Sequence, residues 1–181
     1  MKNKVTFSEN GTVIKEFLTL KGYKKELSVL KKMNCNLAPK IIRTEKGIIE
    51  MSFISGVSLI DKLIDLEKNG ECPAPTASAL AEFFKVFHSL NKYKSLGDLN
   101  FHNFIATENG EIFGIDYEEV TVGSIYSTTA RALAFLYSYN DLSDTTKETF
   151  SQTLLSELKI PPHRIITRIF RHIIFLKKRR G

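Results

Sequence analysis

Three side chains that carry hard oxygen atoms, Asp98, Asn103 and Asp116, lie at short intervals in the middle of the chain. Two apolar runs, 104–106 and 112–115, follow Asn103 and are separated by a polar segment that contains an Asn-Gly pair. Apolar runs joined through Asn-Gly are typical of a β-hairpin. Because a hairpin brings its two ends together, the sequence predicts that the three side chains converge on one spot.

Phosphoryl transfer is the chemistry that such a set of side chains suits best. Magnesium takes oxygen ligands and is often held by one or two protein groups together with phosphate oxygens. The reaction also needs a carboxylate that orients the attacking hydroxyl group. The sequence therefore predicts Asp98 as that carboxylate, and Asn103 and Asp116 as metal ligands. Asp and Asn also cap turns in ordinary loops, so it is the hairpin and the second aspartate that favour catalysis.

Two segments around these residues resemble the catalytic segment of the protein-kinase-like superfamily. They read Gly-Asp-Leu-x-x-x-Asn, which ends at Asn103, and Ile-Asp-Tyr-Glu, which contains Asp116. The resemblance is closest to the aminoglycoside phosphotransferase and choline kinase branch. It implies that Asp98 is the catalytic base and that Asn103 and Asp116 are magnesium ligands. The chain departs from that branch at Leu96, where the family usually has His, and at Asn100, where many members have Lys or His.

The same resemblance assigns nucleotide contacts to the first part of the chain. A β-type run over 12–18 carries Lys15, and a helical pattern over 23–33 carries Glu26 beside its apolar face. In the family, a strand Lys contacts the α- and β-phosphates and pairs with a Glu on the following helix. The resemblance therefore implies that Lys15 and Glu26 form this pair.

Residues 50–55 resemble the hinge of the family, where the backbone after a strand forms hydrogen bonds with adenine. This similarity adds Glu50 and Phe53 to the nucleotide contacts that the resemblance implies, together with Lys15, Glu26 and Asn103. The implied cofactors are ATP and Mg²⁺.

The implied fold is α+β, with the two-lobed arrangement of protein kinases. Residues 1–54 would form a small β-rich N-lobe with one helix. Residues 55–181 would form a mainly helical C-lobe that holds the catalytic loop and the metal-binding hairpin. The resemblance runs from about Val13 to Leu136 and is strongest around the two catalytic segments.

Local patterns predict further elements independently of the resemblance. A β-type run over 37–43 predicts a strand, and Thr76 is expected to cap a helix with a broad apolar face. Ser143 is expected to begin a helix that ends before Pro161-Pro162. The final helix is predicted over 163–178, with its isoleucines and Phe170 inside and its arginines outside.

Composition and charge argue against a disulfide-rich or membrane-spanning protein and indicate the kind of ligand that the chain suits. The chain has 181 residues, is 43% hydrophobic and carries a net charge of +6, which suits an anionic ligand such as a nucleotide or nucleic acid. Its two cysteines, Cys35 and Cys72, fit no metal-site spacing and no disulfide framework. Since no run is apolar and long enough to span a bilayer and no signal core follows the first residues, we expect a cytoplasmic protein without a membrane span.

The leading hypothesis is an ATP- and Mg²⁺-dependent kinase that moves the γ-phosphate to a hydroxyl acceptor, with Asp98 as the base. The acceptor is expected to be a small molecule. A protein or tRNA stays open as an alternative, because acceptor contacts come from variable surfaces of the helical lobe that the sequence does not identify.

Two alternatives remain open from the sequence. The short chain and basic C-terminus also resemble the small kinase-fold subunit of the tRNA threonylcarbamoylation complex, which uses ATP. The other alternative is a non-catalytic pseudokinase module that binds a partner. It is suggested by the missing glycine-rich loop, since no Gly-x-Gly-x-x-Gly occurs and only 14 residues precede Lys15.

Overall fold

The computed structural model of the protein describes residues 3–8, 10–34 and 36–180, excluding the side chains of 179 and 180. Glu9, which belongs to the first predicted turn, and Cys35 lie outside the described residues. Within these ranges the chain has an α+β architecture with six α-helices and nine short strands. The helices are α1 (Leu20–Met33), α2 (Leu59–Lys68), α3 (Ala74–Leu90), α4 (Ile125–Leu136), α5 (Asp144–Glu157) and α6 (Ile166–Arg180). The strands are β1 (Lys4–Phe7), β2 (Thr12–Glu16), β3 (Ile41–Glu45), β4 (Ile48–Ser52), β5 (Val57–Ser58), β6 (Lys94–Ser95), β7 (Phe104–Ala106), β8 (Ile112–Gly114) and β9 (Thr121–Val122).

The described strands form three antiparallel sheets. The largest has the order β1-β2-β4-β3, the second has the order β5-β7-β8, and β6 pairs with β9. Both hairpins predicted from Asn-Gly pairs are present, since β1 pairs with β2 and β7 pairs with β8. In the second hairpin, Phe104 lies opposite Gly114, so Asn103 and Asp116 are attached to neighbouring strand ends.

Helix α1 begins at Leu20, three residues before the predicted start, because Thr19 caps it. The Thr19 side chain accepts a hydrogen bond from the backbone N–H of Gly22, which satisfies one of the unpaired donors at a helix start. Val29, Leu30 and Met33 of α1 are buried in the core. The helix packs against β4 and α3, and this packing fixes the position of Glu26.

Aromatic side chains fill the centre of the core. Phe83, Phe84 and Phe87 of α3 are fully buried, and Phe83 meets Phe104 edge to face with ring centroids 5.4 Å apart. Phe87 stacks on Tyr117 at 6.3 Å. The hairpin and the segment after it are therefore held directly against the longest helix of the core.

Two predicted element boundaries were wrong. Helix α3 begins at Ala74 rather than at a Thr76 cap, because Pro75 fits the first turn of a helix, where its missing N–H costs nothing. Thr76 is instead buried inside the helix. The strand predicted over 37–43 forms only from Ile41, since Leu37 adopts a left-handed backbone conformation with φ of 50° and Pro39 lacks an N–H for the ladder.

The predicted orientation of the last helix was partly wrong, although Ile165 is buried and the arginines are exposed as predicted. Ile166, Phe170 and Ile174 of α6 are each about half exposed or more, whereas Leu176 is buried. The helix packs mainly against α4, so only one side of it is covered. In the part of the chain that the structure describes, no helix combines the length and hydropathy needed to cross a bilayer.

Candidate active site

A cleft of about 840 Å³ lies between the four-stranded sheet and the hairpin that carries Asn103 and Asp116. The sheet contributes Val13 and Lys15 from β2, and the other wall contributes the predicted catalytic and metal-binding side chains. One part of the lining is apolar and aromatic, and another is charged. Residues that line the cleft include Val5, Phe7, Val13, Lys15, Met51, Phe53, Asp98, Asn103, Ile105, Ile115, Asp116 and Glu118.

Lys15 joins two carboxylates at the base of this cleft. Its Nζ donates to Glu26 Oε2 at 2.7 Å and to Asp116 Oδ1 at 3.0 Å. Lys15 is 6% exposed and Glu26 is fully buried, whereas a third of the Asp116 side chain remains exposed. The predicted pair of Lys15 and Glu26 is present, and the lysine also reaches the aspartate that was predicted to bind metal.

Burial changes the proton affinity of this cluster. Removal from water raises the pKa of Glu26 to about 7, against the opposing effect of the Lys15 ammonium group. Burial by itself lowers the pKa of Lys15, but the carboxylates of Glu26 and Asp116 outweigh it and leave that pKa above its ordinary value. Lys15 is therefore held in its charged form at the bottom of the cleft, beside the exposed oxygens of Asp116.

The loop that carries Asp98 is fixed by side chains from elsewhere in the fold. Asp98 Oδ1 accepts the backbone N–H of Asn100 at 3.0 Å. The Asn100 side chain accepts the backbone N–H of His102 at 3.1 Å and the hydroxyl of Tyr139 at 2.9 Å. The Tyr139 oxygen in turn accepts the backbone N–H of Phe101 at 2.8 Å. Asn100 thus shapes the turn that follows Asp98.

Asn103 and Asp116 are brought together by a backbone hydrogen bond. The N–H of Ile115 donates to the carbonyl oxygen of Asn103 at 3.0 Å, just beyond the hairpin ladder. Gly114 is required here, because a Cβ at that position would lie 2.6 Å from both Phe83 and the Tyr117 hydroxyl. Tyr117 is buried and donates to the carbonyl of Gly114 at 2.8 Å, so the residue after Asp116 anchors it to the core.

These two side chains suit a magnesium ion. The Asn103 Oδ1, the atom that could bind a metal, has no hydrogen-bond partner among the described residues, whereas its buried Nδ2 is an unsatisfied donor. Asp116 uses Oδ1 for Lys15 and exposes part of its carboxylate to the cleft. Within the described ranges there is no group of three or more His, Cys, Asp and Glu side chains that could hold a metal. Two protein oxygens plus ligand oxygens match the way magnesium is commonly bound.

Glu50 and Phe53, the two residues predicted from the hinge, are placed differently. Glu50 pairs in register with Ile14, and its side chain accepts the Thr12 hydroxyl at 2.8 Å. It lies on the face of the sheet opposite Lys15, since Lys15 neighbours Ile14 on the strand. Phe53 lines the cleft.

The segment predicted as a hinge has unpaired backbone groups among the described residues and an aromatic neighbour. Residues 53–55 form no backbone hydrogen bond with other described residues. The Phe53 ring meets Phe7 of β1 edge to face, with centroids 5.8 Å apart. The two rings are 50% and 72% exposed, which leaves apolar aromatic surface at the mouth of the cleft.

Phe7, Tyr139 and Arg131 are candidate functional residues that sequence reasoning missed. Arg131 of α4 donates from Nη1 to the carbonyl of Leu96 at 2.7 Å, two residues before Asp98. Tyr139 and Arg131 reach the loop from 38 and 35 residues away, so no local pattern indicates them. Phe7 could have been noted from the alternation of the first strand, since Val5 and Phe7 share a face.

No known protein-family model matches this chain, and no curated protein matches it with significant similarity. What the protein does must therefore be inferred from its own residues and their geometry.

Proposed function

We propose that the protein is an ATP- and Mg²⁺-dependent phosphotransferase that moves the γ-phosphate to a hydroxyl acceptor. The observation that carries this proposal is the ion-pair cluster of Glu26, Lys15 and Asp116 in the same cleft as Asp98 and Asn103. A cation and several hard oxygens at one end of a cleft, with aromatic surface at the other, are complementary to a magnesium nucleotide. The proposal includes a two-lobed arrangement, with the boundary after Ile54.

Each residue has a role that follows from its contacts. Lys15, held charged by Glu26, would bind the phosphates that are not transferred. Asn103 and Asp116 would hold the magnesium ion, which would neutralise the phosphate charge when bound. Asp98 would orient the acceptor hydroxyl and take its proton, with one carboxylate oxygen fixed by the Asn100 N–H.

The aromatic end of the cleft would hold the base of the nucleotide. Phe7 and Phe53 supply exposed ring surface, and the free backbone groups of 53–55 are available for the polar edge of adenine. The turn between β1 and β2, in which Gly11 has φ of 72°, would take the place of a glycine-rich loop over the phosphates. Nucleotide binding would then depend more on Lys15 and the metal than on a loop that covers the phosphates.

The direct test is ATP consumption by the Asp98→Asn variant. Loss of the base should lower turnover by about 10²- to 10⁴-fold, because general base catalysis contributes on that order. Folding should be unchanged, since Asp98 is half-buried and its hydrogen bond to Asn100 survives with an amide oxygen. Asp65→Asn, an exposed carboxylate on α2, is the matched control. Equal activity in Asp98→Asn and wild type would contradict the mechanism.

A second candidate, action on an RNA-linked acceptor, is favoured by the exposed basic residues Arg171, Lys177 and Lys178 on α6. Phosphate contacts of this kind weaken steeply with salt. Retention of tRNA that falls between low and physiological salt would support this candidate, and absent or salt-independent retention would remove it.

A further inference from the structure

A second cavity of about 370 Å³ adjoins the loop that carries Asp98. Asp98 and Glu119 line both this cavity and the main cleft. The rest of its wall comes from the residue before Asp98, from the segment after the hairpin and from two helices, α4 and α6. These residues are Gly97, Thr121, Arg131, Phe135, His172, Phe175 and Leu176. Asp98 lies between the two cavities. A general base needs this position if the phosphoryl donor and the phosphoryl acceptor bind in separate sites.

Arg131 and His172 line the end of this cavity that the helices form, and the charge of Arg168 acts on His172 from outside the wall. Arg131 is half-buried and is held in place by the hydrogen bond from Nη1 to the Leu96 carbonyl. Arg168 donates to the Ser127 hydroxyl at 3.0 Å, one turn of α6 before His172. Burial and the nearby charges of Arg131 and Arg168 lower the pKa of His172. Arg131 is the permanently charged cation that lines this end of the cavity, and its guanidinium favours an anion beside it.

The opposing charge at this end is small. Glu119 offsets part of the Arg131 charge, but its side chain is exposed to solvent. The Arg131 guanidinium uses Nη1 for protein contacts, and its other nitrogens have no hydrogen-bond partner among the described residues. Guanidinium groups bind carboxylate and phosphate oxygens through paired N–H groups. Phe135 and Phe175 complete the wall with apolar surface, which suits a small organic molecule rather than a bare ion.

We propose that this second cavity binds the phosphoryl acceptor, a small hydroxyl-bearing molecule with an anionic group, placing that group at Arg131 and His172 and the hydroxyl at Asp98. The inference rests on the proposed phosphotransferase function and names its substrate class. In the transfer, the acceptor oxygen forms a bond to the γ-phosphorus while the bond from that phosphorus to the β–γ bridging oxygen breaks. The bonding electrons leave with ADP, and the hydroxyl proton passes to Asp98. The products are ADP and a phosphate ester.

The test uses glycerol 3-phosphate and glycerol, which share hydroxyl groups and differ in charge. The ring signals of the four histidines are followed by NMR in the full chain with Mg-ADP present, so that the main cleft is occupied. His172→Gln identifies the His172 signal, and His163→Gln, on an exposed turn, is the control. We expect glycerol 3-phosphate to shift the His172 signal saturably and raise its pKa, because the bound anion offsets Arg131 and Arg168. Glycerol should do neither.

Arg131→Gln should weaken glycerol 3-phosphate binding by about tenfold or more, as expected for loss of a charged hydrogen-bond partner. Because Arg131 also holds Leu96, His172→Leu provides a second variant, in which calorimetry should show weaker binding. Equal responses to the two probes, or unchanged affinity in a folded variant, would overturn the inference.

Failure of the proposed function has a different signature. A magnesium-dependent rise in melting temperature with ATP reports on the main cleft alone. If that rise occurs while glycerol 3-phosphate leaves His172 unaffected, the acceptor inference fails and the nucleotide site stands. If the rise is absent while the anion binds, the phosphotransferase function and the acceptor role fall together.

Discussion

Lys15 contacts two carboxylates that differ in their exposure to the cleft. Glu26 is fully buried and one of its oxygens, Oε1, has no hydrogen-bond partner among the described residues. Asp116 is partly exposed and can exchange its contact with Lys15 for a ligand. The buried partner therefore orients the lysine, and the exposed partner is the one that a metal and phosphates would reach. For Glu26 to orient Lys15 in this way, its side chain must stay buried in the folded protein, even though burial favours the protonated form of Glu26.

The raised pKa of Glu26 makes folding stability depend on pH. Its pKa is about 7 in the folded chain, against an ordinary value of 4.5, so the folded state binds the proton more tightly than the unfolded state. Stability should therefore fall as pH rises from about 4.5 to about 7, by up to about 3 kcal/mol. Urea unfolding at pH 5, 6, 7 and 8 measures this change.

Glu26→Gln is the matched variant, because the amide cannot titrate and has nearly the same size. The free energy of unfolding of wild type minus that of Glu26→Gln should decrease across this window and then level off above pH 7. A difference that stays constant or increases with pH would show that Glu26 is already ionised in the folded protein at pH 5.

The β7–β8 hairpin and the loop before it form the element on which the site depends. The hairpin is pinned by Phe83 and Tyr117, and the loop is pinned by Tyr139 and Arg131. Phe83, Tyr139 and Arg131 come from parts of the chain that are distant in sequence, whereas Tyr117 follows the hairpin directly. The position of Asp98 thus depends on the packing of the helical part of the chain rather than on the loop sequence alone.

Gly97 is the tightest point of this element. A Cβ at Gly97 would lie 1.9 Å from the carbonyl oxygen of Glu119, a backbone atom that cannot move aside by a rotamer change. Gly97→Ala should therefore lower the free energy of unfolding by about 2 kcal/mol or more and reduce ATP turnover, because either the loop or the 119–121 segment must shift.

The control for this prediction is Gly70→Ala. Gly70 has φ of 67°, and an added Cβ there meets nothing within 4 Å, so only the local backbone penalty of about 1 kcal/mol applies. Denaturant melts and turnover should be measured for both variants. A Gly97→Ala protein as stable and as active as Gly70→Ala would show that the close approach to Glu119 does not constrain the loop.

Across the whole molecule, local patterns predicted the parts of the fold that local forces determine. Both Asn-Gly hairpins form, because the turn residues and the flanking apolar runs specify them within a few residues. The pair of Lys15 and Glu26, which the family resemblance implied and local patterns alone did not, also forms. The α+β class that the resemblance implied is observed as well.

Features that depend on distant partners could not be predicted. Among the described residues, α6 packs mainly against α4 and leaves Ile166 and Phe170 exposed, which a helical period cannot reveal. Glu50 was assigned to the nucleotide site by its order in the chain, but its side chain bonds Thr12 on the other face of the sheet. Arg131 and Tyr139 reach the loop that carries Asp98 only after the helices have packed.

Thermal melting with ATP and Mg²⁺ is the most direct test of the proposed magnesium-nucleotide site at Lys15 and Asp116. Ligand at about a hundred times its dissociation constant stabilises a protein by roughly 2.7 kcal/mol. For a chain of this length, that corresponds to a rise of about 5 to 11 °C in melting temperature.

Asp116→Asn and the surface control Asp65→Asn should be melted with wild type, each against its own ligand-free baseline. We predict a rise in melting temperature that requires both ATP and Mg²⁺ in wild type and Asp65→Asn. This rise should be lost in Asp116→Asn. No rise in any of the three proteins, or an equal rise in all three, would contradict this prediction, and the former outcome would favour a non-catalytic binding module.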